Sequence, residues 1–165
     1  MIMDLPTSIG RAAGYTTVAQ AFEREGKYDE AIAEYKNAIK EDDRHVEAVN
    51  NLAWLYVTQK RDYAEAIRVA GPYVQKYPKF PELLDTVGWA HLMNGDAKKA
   101  EPILKQALIA QQARDRRVLA DIAYHYGEAL YRNGKFKEAR EVLEPVSRVQ
   151  FSQSDRVKEI LSKMK

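Results

Sequence analysis

Several features that would indicate chemistry are missing from this sequence of 165 residues. There is no cysteine, which excludes disulfides, thiolate catalysis and cysteine-ligated metals. No apolar run approaches the roughly 18 residues that a membrane-spanning helix needs. The net charge is only +2, from 26 basic and 24 acidic residues. Charge alone therefore gives no reason to expect nucleic acid as a partner.

Motifs of catalysis and metal binding are missing as well. The histidines are His45, His91 and His125, and none belongs to an H-E-x-x-H or similar pattern. The glycines form no phosphate-binding loop, and no serine lies in a nucleophile-elbow pattern. We expect His91 to pack between helices and His125 to be half-exposed. The sequence therefore predicts a protein that is not an enzyme and that uses no cofactor or metal.

The first residues, MIMDLPTSIGRAAGY, lack the basic and apolar regions of a signal peptide. This favours a cytoplasmic location. A periplasmic location, facing the cell envelope, would follow if the sequence is a piece of a longer protein whose targeting segment is missing. The compartment is therefore left open.

What the sequence does contain is an internal repeat. A polar turn, usually with glycine, is followed four times by a helix start with alanine at a fixed place. Those alanines are separated by 35, 34 and 39 residues and are Ala31, Ala66, Ala100 and Ala139. A small residue, expected where two helices pack closely, precedes each turn at Ala19, Ala53, Gly88 and Gly127.

Other positions repeat with the same spacing. The residues expected in the core just before the small residue are Val18, Leu52, Val87 and Tyr126. The second helices are expected to begin at Tyr28, Tyr63, Ala97 and Phe136. Because these sets follow a spacing of 3.6 residues, each helix should carry one apolar face.

A period near 34 residues with these positions resembles the tetratricopeptide repeat (TPR) family, over about residues 12–153. The resemblance implies an all-α fold, a right-handed α-α superhelix of about four helix-turn-helix repeats. After an N-terminal tail at residues 1–11, the four repeats are assigned to residues 12–45, 46–80, 81–114 and 120–153.

Two insertions and three prolines modify this pattern. The second repeat has one extra residue in its turn, around residues 60–62, and five residues, QARDR, are inserted between the third and fourth repeats. A helix next to that second insertion should be longer than usual. The prolines Pro72, Pro102 and Pro145 fall inside second helices, where we expect a kink or an early end.

The last residues, 154–165, are predicted to form a C-terminal capping helix. Ser154 is a suitable N-cap. Val157, Ile160, Leu161 and Met164 follow at the spacing of one helical face. This stripe should dock on the last repeat, as the end of a repeat array requires.

In TPR proteins the first helix of each repeat lines a concave groove, so the resemblance implies where a partner would bind. Trp54 and Trp89 then occupy the same groove position in adjacent repeats, on an apolar floor of the kind that often marks interaction sites. The candidate partner-binding residues are Asn50, Trp54, Val57, Asp85, Trp89, Leu92, Met93, Tyr124, Glu128, Tyr131 and Arg132. Alternatively, the tryptophans only pack between neighbouring helices, or are covered by residues 1–11 or by the loop at 111–117.

The segments NNLAWLY and LDTVGW are also similar to TPR proteins associated with bacterial exopolysaccharide production and exosortase-type envelope systems. That narrower resemblance covers about 60 residues and implies a role in bacterial cell-envelope or polysaccharide assembly.

Three functions compete at this point. The first is a non-enzymatic scaffold that binds a protein or peptide in the groove. The second is a structural protein that forms homo-oligomers through the uncapped face around residues 12–18 of its first helix. The third, which we do not favour, is nucleic-acid binding through Arg114, Arg116, Arg117, Lys135, Lys137 and Arg140.

Overall fold

The computed structural model describes residues 7–115 and 120–164, and all of its regular elements there are helical. Residues 1–6 of the predicted tail and part of the QARDR insertion lie outside these residues, and the first helix begins at Ser8, inside the tail predicted at residues 1–11. The helices are α1 (Ser8–Arg24), α2 (Tyr28–Glu41), α3 (Val46–Leu55), α4 (Tyr63–Ala70), α5 (Pro81–Met93), α6 (Ala97–Arg114), α7 (Ala120–Arg132), α8 (Phe136–Val146) and α9 (Ser154–Lys163). The predicted all-α fold of paired helices is confirmed.

The chain divides into two compact parts, residues 1–70 and residues 71–165. In the first, which we call the N-terminal part, α2 packs against both α1 and α3, and α3 packs against α4. In the second, the C-terminal part, α6 packs against both α5 and α7, and α8 packs against α7 and α9. Each second helix thus contacts the first helix of its own repeat, and α2 and α6 also contact the next first helix.

The second helices begin where the sequence predicts, at Tyr28, Tyr63, Ala97 and Phe136. In three repeats the preceding first helix ends in a left-handed glycine, such as Gly95 with φ of 87°. The next residue then donates its N–H to the carbonyl five positions earlier, as Asp96 does to His91 at 2.9 Å. Because glycine adopts this conformation without steric cost, it ends the helix and aims the chain back along it.

The second repeat makes the same turn with one residue more. A π-helical segment, Tyr56–Lys60, follows α3, and Arg61 takes the left-handed position with φ of 52°. Asp62 donates its N–H to the carbonyl of Tyr56, six positions earlier, at 2.9 Å. The extra residue is therefore absorbed by a wider helical turn rather than by a longer loop.

The small residues in the first helices lie where two helices approach closely, as predicted. A Cβ atom on Gly88 would lie 2.6 Å from Cγ of Leu104 on α6, and one on Gly127 would lie 2.5 Å from Cγ of Leu143 on α8. Ala19 in the N-terminal part is fully buried. These distances leave no room for a larger side chain at the glycines.

The QARDR insertion and the three prolines have local effects on the helices. α6, next to the QARDR insertion, is the longest helix of the described chain at 18 residues, as expected. α4 ends at Ala70 and a short 3₁₀ turn, Gly71–Tyr73, contains Pro72. α8 ends one residue after Pro145, whereas α6 continues for three turns past Pro102. Two of the three prolines therefore mark an early helix end.

The capping helix α9 packs as expected. Its Val157 and Ile160 are fully buried and share a cluster with Leu143 and Val146 of α8. Ser154, however, is not the N-cap. It is the first residue of α9, and its hydroxyl accepts the N–H of Phe151 and donates to carbonyls in the loop before the helix.

One predicted core residue is exposed. Val18 has 45% of its surface accessible, whereas Leu52 of α3 and Tyr126 of α7, at the same repeat position, are buried. The difference has a simple cause, because α2 and α6 precede and cover α3 and α7, while α1 is the first helix that the structure describes. Among the described residues, no helix is long and apolar enough to cross a membrane.

Candidate functional site

The C-terminal part contains a buried polar pair between α5 and α7. Nδ1 of His125 lies 2.8 and 3.0 Å from the two carboxylate oxygens of Asp85, and both side chains are almost completely buried. Because a carboxylate only accepts, Nδ1 carries the proton and Asp85 fixes the orientation of the ring. The expectation that His125 would be half-exposed is therefore wrong.

The imidazole of His125 supports one of the two tryptophans. The ring of Trp89 stacks on it with centroids 4.0 Å apart and planes 20° from parallel. Tyr124 packs against both rings, at 5.8 Å from Trp89 and 5.5 Å from His125. The indole is thus held in one orientation by a ring that is itself fixed by Asp85.

One turn away, a fully buried carboxylate joins three helical side chains. Glu128 of α7 is 0% exposed. It accepts from Nε of Arg132 at 2.8 Å, and from Nη2 and Nε of Arg156 on α9 at 2.9 and 3.1 Å. The hydroxyl of Tyr124 donates to it at 3.4 Å. The arrangement ties the capping helix to α7.

The ionisation of this group follows from its neighbours. Burial raises the pKa of Glu128, but the hydrogen bonds from Arg156 and Arg132 outweigh it, so the pKa lies below its ordinary value. Burial, with a smaller contribution from the charge of Glu128, raises the pKa of Tyr124 to about 12. Glu128 is therefore ionised and Tyr124 neutral at neutral pH.

In the N-terminal part, Trp54 of α3 is an exposed large apolar side chain, with 39% of its surface accessible. Polar side chains close to Trp54 in the sequence take part in a chain of hydrogen bonds. Asn50 is half-buried and donates to Oδ1 of Asn51 at 3.3 Å, and Asn51 donates to the hydroxyl of Tyr35 at 3.3 Å. Tyr35 in turn donates to Glu23. This face of the N-terminal part combines an accessible indole with amide groups.

Several predicted site residues are not on an accessible surface. Val57, in the π-helical segment, is buried. Leu92 is 0% exposed and packs in the core with Ala100 and Leu104. The prediction that Val57 and Leu92 form an exposed apolar floor is therefore wrong. Asp85, Tyr124 and Glu128 are also buried, so any role of theirs is to position other groups.

The remaining predicted residues keep accessible surface. Met93 and Trp89 on α5 and Tyr131 on α7 are half-buried. Arg132 has 37% of its side chain exposed and also donates to the carbonyl of Leu92 at 3.2 Å. In the C-terminal part the accessible set is thus smaller than predicted and is mainly aromatic and apolar.

Two residues of these clusters, His125 beside Trp89 and Arg156 beside Glu128, were not among the predicted site residues. Nothing in the local sequence indicates the pairing of His125 with a residue 40 positions earlier. The spacing of four residues between Glu128 and Arg132 does indicate one of the two ion pairs that Glu128 forms. Arg156 lies in a different helix, and no such spacing reveals it.

Three residues of the basic cluster considered for nucleic acid form ion pairs with carboxylates. Arg114 pairs with Glu82 at 2.5 Å and Lys135 with Glu101 at 2.5 Å, and Arg140 pairs with Glu144 at 3.3 Å. Arg116 and Arg117 lie outside the described residues. Within the described ranges, no group of three or more histidine and acidic side chains is placed to hold a metal.

Comparison with known proteins agrees with the repeat. Two models described as tetratricopeptide repeat match the chain, over residues 18–79 and residues 92–164. The two matches do not overlap and together span most of the sequence. No curated protein shows significant similarity to this chain.

Similar structures are found at low sequence identity. PilF of Pseudomonas aeruginosa is 21% identical, with a TM-score of 0.73 over 92% of this chain and 69% of PilF. MamA is 20% identical, with a TM-score of 0.72 over 93% of this chain and 90% of MamA. Yeast Tom70 is 21% identical, with a TM-score of 0.66 over 94% of this chain and 32% of Tom70. At these identities the likeness shows a common fold.

Proposed function

Because this chain belongs to the tetratricopeptide repeat family, whose fold generally mediates protein–protein interaction, we propose that it is a non-enzymatic scaffold. Its partner would be a protein segment that binds accessible residues of the first helices, at Trp54 in the N-terminal part and at Trp89 in the C-terminal part. The observation that carries the proposal is that both tryptophans lie on first helices and keep part of their indole accessible.

The surroundings of Trp89 support this use. An indole that is already fixed by stacking loses little conformational entropy when it binds, which favours affinity. His125 and Asp85 supply that fixation at a cost, because a buried histidine–carboxylate pair contributes little net stability compared with apolar packing. Such an arrangement is reasonable where the orientation of the aromatic surface matters.

Trp54 offers the clearer test, because it is more exposed than Trp89 and its removal disturbs less packing. We expect peptides selected from a displayed random-peptide library to bind the full chain, and Trp54→Ala to weaken the best of them about 30-fold, as for a hot spot of about 2 kcal/mol. Ile109→Ala is the matched control, since Ile109 is an apolar residue on a second helix, α6, and is 56% exposed.

The outcome is read from affinity and from fluorescence. Peptide binding should shift the tryptophan emission of the wild type. The Ile109→Ala variant should bind the peptides with the same affinity as the wild type. If Trp54→Ala and Trp89→Ala both bind the selected peptides as tightly as the wild type does, the first-helix face is not the binding surface.

We further propose that the partner belongs to a bacterial cell-envelope or polysaccharide-assembly system. The support is the similarity of NNLAWLY and LDTVGW to TPR proteins of those systems. The test is affinity capture from a bacterial envelope fraction, with Trp54→Ala as the comparison. A partner captured equally by wild type and variant, or found only in the soluble fraction, would count against this assignment.

A further inference from the structure

Two turns of the chain contain the dipeptide Asn-Gly. One consists of Asn94 and Gly95, between α5 and α6, and the other of Asn133 and Gly134, between α7 and α8. In this dipeptide the backbone nitrogen of the glycine can attack the side-chain carbonyl carbon of the asparagine, because glycine has no side chain to hinder the approach. The chain therefore carries the same reactive pair twice, in equivalent places of two repeats.

The backbones of the two turns are closely similar. Gly95 and Gly134 are both left-handed, with φ of 87° and 75°. Gly95 donates its N–H to the carbonyl of Leu92 at 3.1 Å, and Gly134 donates to the carbonyl of Tyr131 at 3.0 Å. The attacking nitrogen is thus held by the same type of hydrogen bond in both turns, so the backbone does not distinguish the two sites.

The two asparagine side chains, in contrast, have different surroundings. Asn94 is exposed, and its carboxamide makes no hydrogen bond to any residue that the structure describes. Asn133 is half-buried, and its Nδ2 donates to the carbonyl of Ala97 at 3.0 Å and to Oε2 of Glu101 at 2.7 Å. The carboxylate of Glu101 also pairs with Lys135 at 2.5 Å. The side chain of Asn133 is therefore held in place, whereas that of Asn94 can rotate towards the backbone.

We propose that Asn94 is a site of spontaneous deamidation in the folded protein and that Asn133 is protected from the same reaction. The backbone nitrogen of Gly95 forms a bond to Cγ of Asn94, and the Cγ–Nδ2 bond breaks. Ammonia leaves with the proton that the glycine nitrogen has lost. Water then opens the cyclic imide at one of its two carbonyls, which gives aspartate or isoaspartate at position 94.

The hydrogen bonds of Asn133 oppose this reaction in two ways. They hold the carboxamide away from the glycine nitrogen, and they bind Nδ2, which is the atom that has to leave. Both bonds must break before the attack, and the bond to Glu101 is the stronger of the two because its acceptor is charged. No such bond has to break at Asn94.

The modification would alter the end of α5. It adds a negative charge one residue after Met93, at the carboxyl end of the helix, where the helix dipole disfavours a negative charge. In the isoaspartate product the main chain also passes through Cβ, so the turn gains one backbone atom. The hydrogen bond from Asp96 to the carbonyl of His91, which closes this turn at 2.9 Å, then has to rearrange.

The test compares the two sites in one sample of the full-length chain, incubated in mildly alkaline buffer with and without denaturing urea. A glutamate-specific protease separates the sites, because Glu128 lies between them, and tandem mass spectrometry follows the mass increase at each asparagine. In the folded chain Asn94 should react at least about 10-fold faster than Asn133, since two hydrogen bonds must break at Asn133. In urea the two rates should be similar.

Two variants separate the effect of the hydrogen bonds from that of overall stability. Glu101→Ala removes the charged acceptor and should raise the rate at Asn133 about 5-fold, with the rate at Asn94 unchanged. Glu144→Ala, which removes a carboxylate paired with Arg140 instead, should leave both rates unchanged.

Three results would overturn the proposal. One is a folded chain in which Asn94 stays unmodified while it reacts in urea, or reacts no faster than Asn133. Another is a rate difference that persists in urea, since hydrogen bonds of the folded chain would then not be its cause. The third is a Glu101→Ala variant in which the rate at Asn133 does not rise, or rises only as much as the rate at Asn94.

Discussion

The close approach of α5 and α6 at Gly88 allows a quantitative prediction. A Cβ at this position would lie 2.6 and 2.7 Å from Cγ and Cδ2 of Leu104, against about 3.5–4.0 Å for an ordinary carbon–carbon contact. It would also lie 3.3 Å from the backbone nitrogen of Leu104, so a change of rotamer does not remove the strain. Leu104 is fully buried in the core.

The expected cost of Gly88→Ala follows from two opposing effects. Overpacking of this kind typically costs about 1–3 kcal/mol. Alanine in a helix interior is favoured over glycine by about 1 kcal/mol. Because the overlap with the buried Leu104 side chain is about 1 Å and the backbone nitrogen of Leu104 also lies close, we expect the steric effect to exceed the helix propensity. The free energy of unfolding should fall by about 1–2 kcal/mol.

Gly14→Ala is the matched control, since Gly14 also lies inside a helix but has nothing within 4 Å of the methyl group that alanine would add. This substitution should raise the free energy of unfolding by about 0.5–1 kcal/mol. Urea denaturation followed by circular dichroism measures both variants, with equal m-values as the condition for comparing them. If Gly88→Ala is as stabilising as Gly14→Ala, the close helix contact is not the reason for glycine at this position.

Three other predictions concern the turns and the buried carboxylate. Arg61→Gly should raise the free energy of unfolding by about 0.5–1 kcal/mol, because Arg61 has a left-handed φ, whereas Gly95→Ala should lower it by about 1 kcal/mol; thermal denaturation measures both. Glu128→Gln should cost about 2–3 kcal/mol in urea denaturation at pH 7, because Arg132 and Arg156 lose a buried partner; an unchanged midpoint would contradict this. The folded-state pKa of Glu128 is lowered, so its stabilisation is complete above its unfolded pKa of about 4.3 and is lost as the pH falls through the folded value. The wild type should therefore lose more stability than Glu128→Gln between pH 7 and pH 3, and parallel urea midpoints for the two proteins would refute that role.

The fold was predictable because the repeat constrains it locally. The glycines and small residues that recur in the sequence correspond to physical requirements, a left-handed turn at Gly95 and a close helix contact at Gly88. The starts of the second helices follow directly from those turns. For the same reason, the extra residue in the second repeat was visible in the sequence as a change of spacing.

The site was less predictable because it depends on side-chain burial rather than on spacing. A groove position in the repeat pattern does not distinguish Leu92, which is in the core, from Met93, which is half-buried. The pattern also treats all repeats as equivalent, so it assigned Val18 to the core although no described helix covers it. The His125–Asp85 pair joins two helices and leaves no local signal.

The wide turn at Tyr56–Lys60 has a consequence for how such repeats are compared. A length difference between two repeats is usually assigned to a loop, but here it is contained within a helix and ends at the left-handed Arg61. In this repeat the position in the sequence therefore no longer determines the angle around the helix axis. Side chains before the segment point as in the other repeats, and those inside it do not. An alignment that preserves the number of residues and one that preserves the angle around the helix axis therefore place the residues of this segment, Val57 among them, differently against the sister repeats.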